Sequence, residues 1–401
     1  MIKYRNMTKL LLLLPLFVSS MCFAQFDATV LGTVTDPATA AVAKAKVRLD
    51  NLATGVGESA ETDGNGAYRF LNVPIGRYHV TVQAAGFKTV TTEDFAVAVE
   101  ARQRVDIRLV VGDVTATVTV SGAVAALETE TSNRGQVIQH EAIVNLPLNG
   151  RAYADLALLS PGVRKAVQSN TASRDAAYDV NGMRSAFNSF ILDGLDNNAY
   201  GTSNQGFSYQ VVQASPDAVQ EFRFDTNNYS AEYGRAAGAV VNASIRSGTN
   251  QYHGALWEFA RNTSLNAIGF FKPVGGQKPS LVQNQFGAAF GGPIRKDRLF
   301  FFTDYEGFRS VAHTLSYLTL PTAAQKLGSL GIPITNPLTG VTYSDGVVPA
   351  NQITGFAKQV LGNVPDPNIA GASNNYQAFP GTVTPSDKGD ARVWITTSMT
   401  I

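Results

Sequence analysis

Three aspartates crowd one stretch, YDVNGMRSAFNSFILDGLDNN (178–198): Asp179, Asp193 and Asp196. Carboxylates in a Gly/Asn-rich turn can coordinate calcium, form an acid–base pair for hydrolysis, or bond the backbone around them. Their spacing is not that of a calcium loop. The expected role is a scaffold turn at Asp193-Gly194, closing a strand of Phe190, Ile191 and Leu192. Metal binding and paired-carboxylate chemistry are the alternatives. A second acidic turn, TDGNGAYRF (62–70), resembles part of a calcium loop, but it lacks the closing Glu and the flanking helices. A tight hairpin explains it better: Gly64 and Gly66 permit positive φ, Asp63 bonds its own backbone, and Tyr68 and Phe70 share a strand face. The four histidines, at 79, 140, 253 and 313, are scattered, and His140-Glu141 lacks the second His of a zinc pair. There is no GxSxG elbow, phosphate loop, complete GxGxxG or Cys/His cluster. The residues favour binding and passage over turnover, so no enzyme activity, cofactor or metal is expected.

The elements that would position these residues are mostly strands. The chain has 401 residues, enough for several domains, and its 36 glycines and low charge content of 16% lean towards β-structure and turns. Residues 1–24 stand apart. Lys3, Arg5 and Lys9 precede a short apolar run over 10–18, and small or polar residues lead to Ala24. That is the pattern of a secretory signal, too short to span a bilayer. Cleavage after Ala24 removes the only cysteine, Cys22, so no disulfide is expected. Removing those three basic residues from 32 leaves 29 against 31 acidic, a net charge of −2. No basic field for nucleic acid remains. No later segment has the ~20 apolar residues of a spanning helix.

Residues 25–112 read as a small β-domain. RYHVTVQ places Tyr78, Val80 and Val82 on one face, and RVDIRLVV turns Val105, Ile107 and Leu109 inward. TVLGTVTD, AKVRLDN and AYRFLNV complete the strands, with turns at PATAA, DGNG and VPIG. The GTVTDPATAAVAKAKV start, the TDGNGAYRF middle and the VPIGRYHVTVQAAGFK end resemble the carboxypeptidase regulatory-like domain. That resemblance implies a transthyretin-like β-sandwich without a peptidase site, serving as a binding or spacer module.

Residues 113–132 are Thr/Val-rich and then small and acidic. Such a segment can be the sandwich's last strand and a linker, or can add itself to another protein's sheet edge. Beyond it, YADLALLSPG spaces Tyr153, Leu156 and Leu159 as a helix, and SPDAVQEF starts a short helix capped by Ser215. GAVVNASIRSGTN returns to strand. LPLNGRAYADLALLSPGV, VNGMRSAFNSFILDGLDNN and SPDAVQEFRFDTNNYSAEYGRAAGAVVNASIRSGTN resemble the plug domain of TonB-dependent outer-membrane receptors, within the Oar-like group that carries a regulatory-like domain in front. The resemblance implies a mixed α/β plug over 133–250. It also makes Val114, Thr115, Ala116, Thr117, Val118, Thr119 and Val120 a candidate TonB box, the strand that pairs with a TonB-type energy-coupling protein in the periplasm.

Residues 251–401 alternate like lipid-facing strands. QYHGALWEFARN, NQFGAAFGGPI and LFFFTDYEGF are aromatic-rich dyads of about ten residues. In the last, Leu299, Phe301, Thr303 and Tyr305 oppose Phe300, Phe302, Asp304 and Glu306. Alternation alone also fits a soluble sandwich. GGPIRKDRLFFFTDYEGFR resembles the first periplasmic hairpin of an Oar-like barrel, its turn made by Pro293, Lys296 and Asp297. The Pro/Asn/Gly-rich stretch after it resembles an extracellular loop. A barrel of about 22 strands needs far more than the 151 residues after the plug. About three strands are expected, with DARVWITTSMTI breaking off where a fourth begins, in a truncated or split reading frame that is inactive alone.

The expected fold class is mainly β: sandwich, mixed plug, and the first few strands of an incomplete transmembrane β-barrel. The expected function is active uptake of an unidentified substrate through the cell outer membrane, in contact with its lipid, with residues 25–132 in the periplasm. The alternative is a secreted or surface-attached carbohydrate-binding or adhesion protein.

Overall fold

The computed structural model describes residues 28–114, 116–120, 130–148, 150–166, 178–199, 210–270 and 272–395. The signal segment, and Thr115 of the candidate box, lie outside the described residues. The chain forms two compact units. The first holds residues 1–256, 287–306 and 388–401, and the second 257–286 and 307–387.

The first unit opens with two packed sheets. In one, β1 (Ala28–Thr35) lies between β4 (Ala67–Val73) and the short β8 (Arg102–Arg104), and β9 (Ile107–Arg108) also pairs with β1. The other runs β10-β6-β5-β2-β3, from Thr117–Val120 through Thr89–Thr92, Gly76–Gln83 and Lys46–Asn51 to Gly57–Glu61, with β7 (Phe95–Val97) on β5. Alternation drives the packing: Val30, Val34, Val47, Leu49, Val80 and Val82 are fully buried between the sheets. Val105, Ile107 and Leu109 point inward as expected, although their strand is broken rather than continuous.

The TDGNG turn is a hairpin. Asp63 accepts from the N–H groups of Asn65 at 2.8 Å and Ala67 at 2.9 Å. Gly66 adopts φ 72° and Gly64 does not take positive φ, so only one of the two glycines is conformationally required. Tyr68 and Phe70 are buried edge to face, centroids 5.9 Å apart.

A five-stranded sheet follows, in the order β11 (Arg134–Gln139), β16 (Val219–Asn227), β17 (Val240–Ile245), β14 (Ser189–Leu192), β15 (Leu195–Asp196). Every residue of the central β17 is buried. That explains why its sequence carries little alternation: both faces are covered. A second pair, β12 (Val163–Lys165) with β13 (Tyr178–Val180), packs nearby through the Tyr178 ring, which meets Phe190 and Phe224 edge on. Two helix expectations change. Tyr153–Leu159 is a 3-10 helix, with Tyr153 and Leu156 buried but Leu159 exposed. SPDAVQEF makes only one capped turn, Ser215 Oγ accepting from Ala218 N–H, before β16 begins at Val219. Val219, Phe222 and Phe224 find partners along β11 and β17, and this pairing overrides the local helix signal.

Four long strands make the last sheet, in the order β18 (His253–Asn262), β19 (Leu281–Arg295), β20 (Leu299–His313) and β25 (Gly381–Ile395). Two expectations are corrected here. Pro293 belongs to β19 rather than to the turn, where Asp297 takes φ 62°. A fourth strand does not start at DARVWI; it already runs from Gly381. Its polar stretch TPSDKGD hides the alternation, which pairing with β20 imposes. In the second unit, β21 (Ser316–Leu318) pairs with β24 (Tyr376–Ala378), and β22 (Ile334–Thr335) with β23 (Thr342–Tyr343). Helices cover Ala323–Lys326 and Gly355–Asn363, the first closed by a capping box of Thr322 and Gln325. Among the described residues no helix is long and apolar enough to cross a membrane.

Candidate functional site: a coupling strand and a charged plug

Thr117–Val120 of the candidate box form an edge strand. β10 runs parallel to β6, with Thr117 opposite Thr89, Val118 opposite Val90, Thr119 opposite Thr91 and Val120 opposite Thr92. The approach is tied down by β6 as well: Thr89 N–H donates to the Ala116 carbonyl at 3.0 Å, and Thr89 Oγ1 to the Val114 carbonyl at 2.8 Å. Val and Thr suit an extended backbone, which is why this stretch joins the sheet rather than trailing as a linker.

The three aspartates of the opening stretch do separate work. Asp193 (φ 46°) and Gly194 (φ 85°) form the turn between β14 and β15. The Asp193 carboxylate accepts from Ile245 N–H at 3.0 Å. Asp179 accepts from Ser185 N–H and pairs with Arg164 at 3.1 Å. Asp196 accepts from Asn198 N–H at 3.0 Å. They are backbone staples, and among the described residues no group of three or more His, Cys, Asp or Glu could hold a metal. Phe190 is fully buried while Ile191 and Leu192 are half-buried, so that strand is covered completely only at its start.

A charged cluster that sequence reasoning did not single out lies between the five-stranded sheet and β20. Arg151 sits in the left-handed region at φ 52°. Its side chain, 8% exposed, donates through Nη2 to Asp217 and through Nε to Glu306 at 3.2 Å. Glu306 is wholly buried, and Lys388 Nζ lies 3.7 Å away on β25. Nearby, Ser215 Oγ donates to Asp304 Oδ2 at 2.7 Å. Two cations thus face Asp217 and Glu306, the arrangement that makes buried charge tolerable. The signal was present in LFFFTDYEGF: two carboxylates share a face with Phe300 and Phe302, and acids on one face of a membrane strand point to the inside.

The sandwich meets the five-stranded sheet through two more carboxylates. Val99 N–H donates to Glu221 on β16, while Tyr233 Oη and Asn242 Nδ2 donate to Glu100. Burial pushes both carboxyls up to about 7. Beyond β17, Asn250 N–H donates to the Ala53 carbonyl at 3.0 Å, and Asn250 Nδ2 reaches Asp297 at 2.6 Å. Gly248 is needed there, because an added Cβ would stand 2.4 Å from the Phe301 carbonyl oxygen.

A sandwich, a plug-like sheet and a run of long dyadic strands define an outer-membrane protein. Residues 29–110 match the carboxypeptidase regulatory-like domain, and residues 244–398 match an outer membrane beta barrel domain. The second match replaces the soluble-sandwich alternative for this region and places the protein in the outer membrane. The particular resemblance is to the TonB-dependent transporter Oar of Myxococcus xanthus, 28% identical over 316 residues, covering 75% of this chain and 28% of that protein. The chain therefore spans under a third of the length of this relative. These matches are consistent with a TonB-dependent receptor of the Oar-like group, with a regulatory-like domain in front. Among solved structures, the outer membrane transporter YddB from Escherichia coli is 15% identical with a TM-score of 0.37, over 46% of this chain and 27% of that one. The siderophore receptor PirA from Acinetobacter baumannii is 21% identical with a TM-score of 0.32, over 45% and 28%.

Proposed function

We propose that this chain forms the front end of a TonB-dependent receptor that takes up a solute across the outer membrane. Residues 133–250 are the plug and β18, β19, β20 and β25 the beginning of the barrel wall. Residues 114–120 are the strand read by a TonB-type energy-coupling protein, with the sandwich on the periplasmic side. The observation that carries the reading is the buried pairing of Arg151, on the plug, with Glu306, on the inner face of β20. A strand with aromatic residues on one face and paired charges on the other suits a wall with lipid outside and a stopper inside. Pulling on a strand tethered ahead of the plug gives the coupling protein a handle on the stopper.

Deleting residues 114–120 from the full-length receptor tests the assignment. Binding of the purified periplasmic domain of the host's TonB-type protein is expected to be lost, with the amount of receptor in the outer membrane unchanged. Binding at undiminished affinity would remove the coupling role from this segment.

A further inference from the structure

We propose that a proton-dependent latch docks the sandwich on the five-stranded sheet: the 98–101 turn seats against β16 and β17 while Glu100 and Glu221 are protonated, and lifts off as they ionise. The inference does not depend on which segment a coupling protein reads.

The contact is built from both sides. The turn closes on itself, Ala101 N–H donating to the Ala98 carbonyl at 3.1 Å, and it is tied to β1 where Thr29 N–H donates to the Ala101 carbonyl at 2.9 Å. Its tip serves the neighbouring sheet. Val99 is wholly buried yet stands outside the sandwich's own core, and its N–H donates to Glu221 on β16. Glu100 holds the left-handed φ of 57°, a conformation that glycine or asparagine ordinarily takes. Its carboxyl accepts from Tyr233 Oη and from Asn242 Nδ2 on β17. One carboxyl thus reaches across the contact in each direction.

The charges around them give little relief. Arg223, two residues along β16, is engaged by Asp225 at 3.1 Å. Asp225 and Glu232 add negative charge beside Glu100. Opposite Glu221, β11 offers Gln139 and β17 offers Ser244, neither of them charged. His140, which opens the short helix His140–Asn145, is bonded through Nδ1 to the Val219 carbonyl at 2.8 Å. Burial holds His140 below its ordinary value, and its charged neighbours are Arg246, Asp217 and Glu141. An acid shut away from water without a counter-charge keeps its proton, and burial pushes both carboxyls from 4.5 up to about 7. Lifting the turn returns water to both. Docking is therefore tightest below pH 4.5, weakens as pH rises towards 7 and levels off above it, by up to about 300-fold for each carboxyl. The surroundings add little grip: a cavity of about 700 Å³ lies beside the latch, lined by Gln220 and Ser244 on one side and by Leu71 and Ile75 of the sandwich on the other.

Hydrogen exchange of the full-length receptor in detergent, from pH 5 to pH 8 and corrected for the intrinsic pH dependence of exchange, tests the latch. Protection of the Val99 amide is expected to fall at least tenfold over that range, while the core amides of β5 and β17 stay as protected as before. Glu100→Gln combined with Glu221→Gln cannot ionise, yet both side chains still accept hydrogen bonds. That variant is expected to keep Val99 at pH 8 within about twofold of its protection at pH 5. Glu100→Gln alone, a milder change that does not touch the Val99 bond, is expected to remove about half of the fall on a logarithmic scale. Val99 protection that is flat with pH in the parent overturns the proposal. So does a fall that β5 and β17 share in step, because that is unfolding, or one that persists in the double variant. A fall undiminished by Glu100→Gln confines the effect to Glu221 and overturns the two-carboxyl latch.

Discussion

The charges that matter most are few and buried. Arg151 is the only described cation that touches both Asp217 and Glu306. Replacing it with methionine keeps the volume and leaves two carboxylates in a dry cleft. Stability of the plug should fall by about 3–5 kcal/mol, the usual penalty for breaking a buried pair by removing one partner. The loss is measured as a drop in the urea midpoint, followed by protease access to the plug sheet. Glu100 and Glu221 give a pH signature. Both carboxyls rise from 4.5 to about 7, with burial as the largest cause. The folded state therefore holds the protons more tightly than the unfolded chain. The stability present below pH 4.5 is lost as pH rises towards 7, and the curve flattens above that. For Glu221 the loss is on the order of 3 kcal/mol. Glu221→Gln, whose amide oxygen still accepts from Val99 N–H, is expected to remove about half of the fall in the urea midpoint between pH 4.5 and pH 7, leaving the share of Glu100. An unchanged slope in that variant would assign the pH dependence elsewhere.

At the scale of elements, the two glycines of the TDGNG hairpin separate conformation from composition. Gly66→Ala forces a Cβ into positive φ and to 2.6 Å from the Val34 carbonyl oxygen. It should destabilise the sandwich by about 1–3 kcal/mol. Gly64→Ala meets nothing within 4 Å, and a melting temperature within a degree or two of the parent is expected. The sandwich was legible because its strands alternate against a single core, and because each turn carries Gly, Pro or Asp. The plug was legible as strands and turns, less so as helices. Ser215-Pro216 reads as a helix start over a few residues, yet the long-range partners of Phe222 and Phe224 decide the outcome. β25 escaped for the opposite reason: its middle, TPSDKGD, is polar with Pro385 and Gly389 inside it, and only the neighbouring strand makes it extended. The coupling segment was legible as an extended Thr/Val stretch, but its partner was not, since nothing local names β6. Arg151, Asp217 and Lys388 are far apart in sequence, so no spacing could announce their meeting with Glu306.

At the scale of the whole molecule, β20 forms a wall with two unlike faces. In β20, Phe300, Phe302, Asp304 and Glu306 are buried against the plug, while Thr303 and Tyr305 are exposed on the other side. The most direct test places a nitroxide label singly at each position from Leu299 to Glu306 in outer membranes carrying the full-length receptor, and measures collisions with oxygen and with a water-soluble relaxing agent. Labels at 299, 301, 303 and 305 should be open to oxygen dissolved in lipid. Labels at 300, 302, 304 and 306 should be shielded from both reagents, giving a clean period of two. Equal access of the water-soluble reagent to all eight positions would mean that this strand never meets acyl chains, and the receptor reading would be wrong.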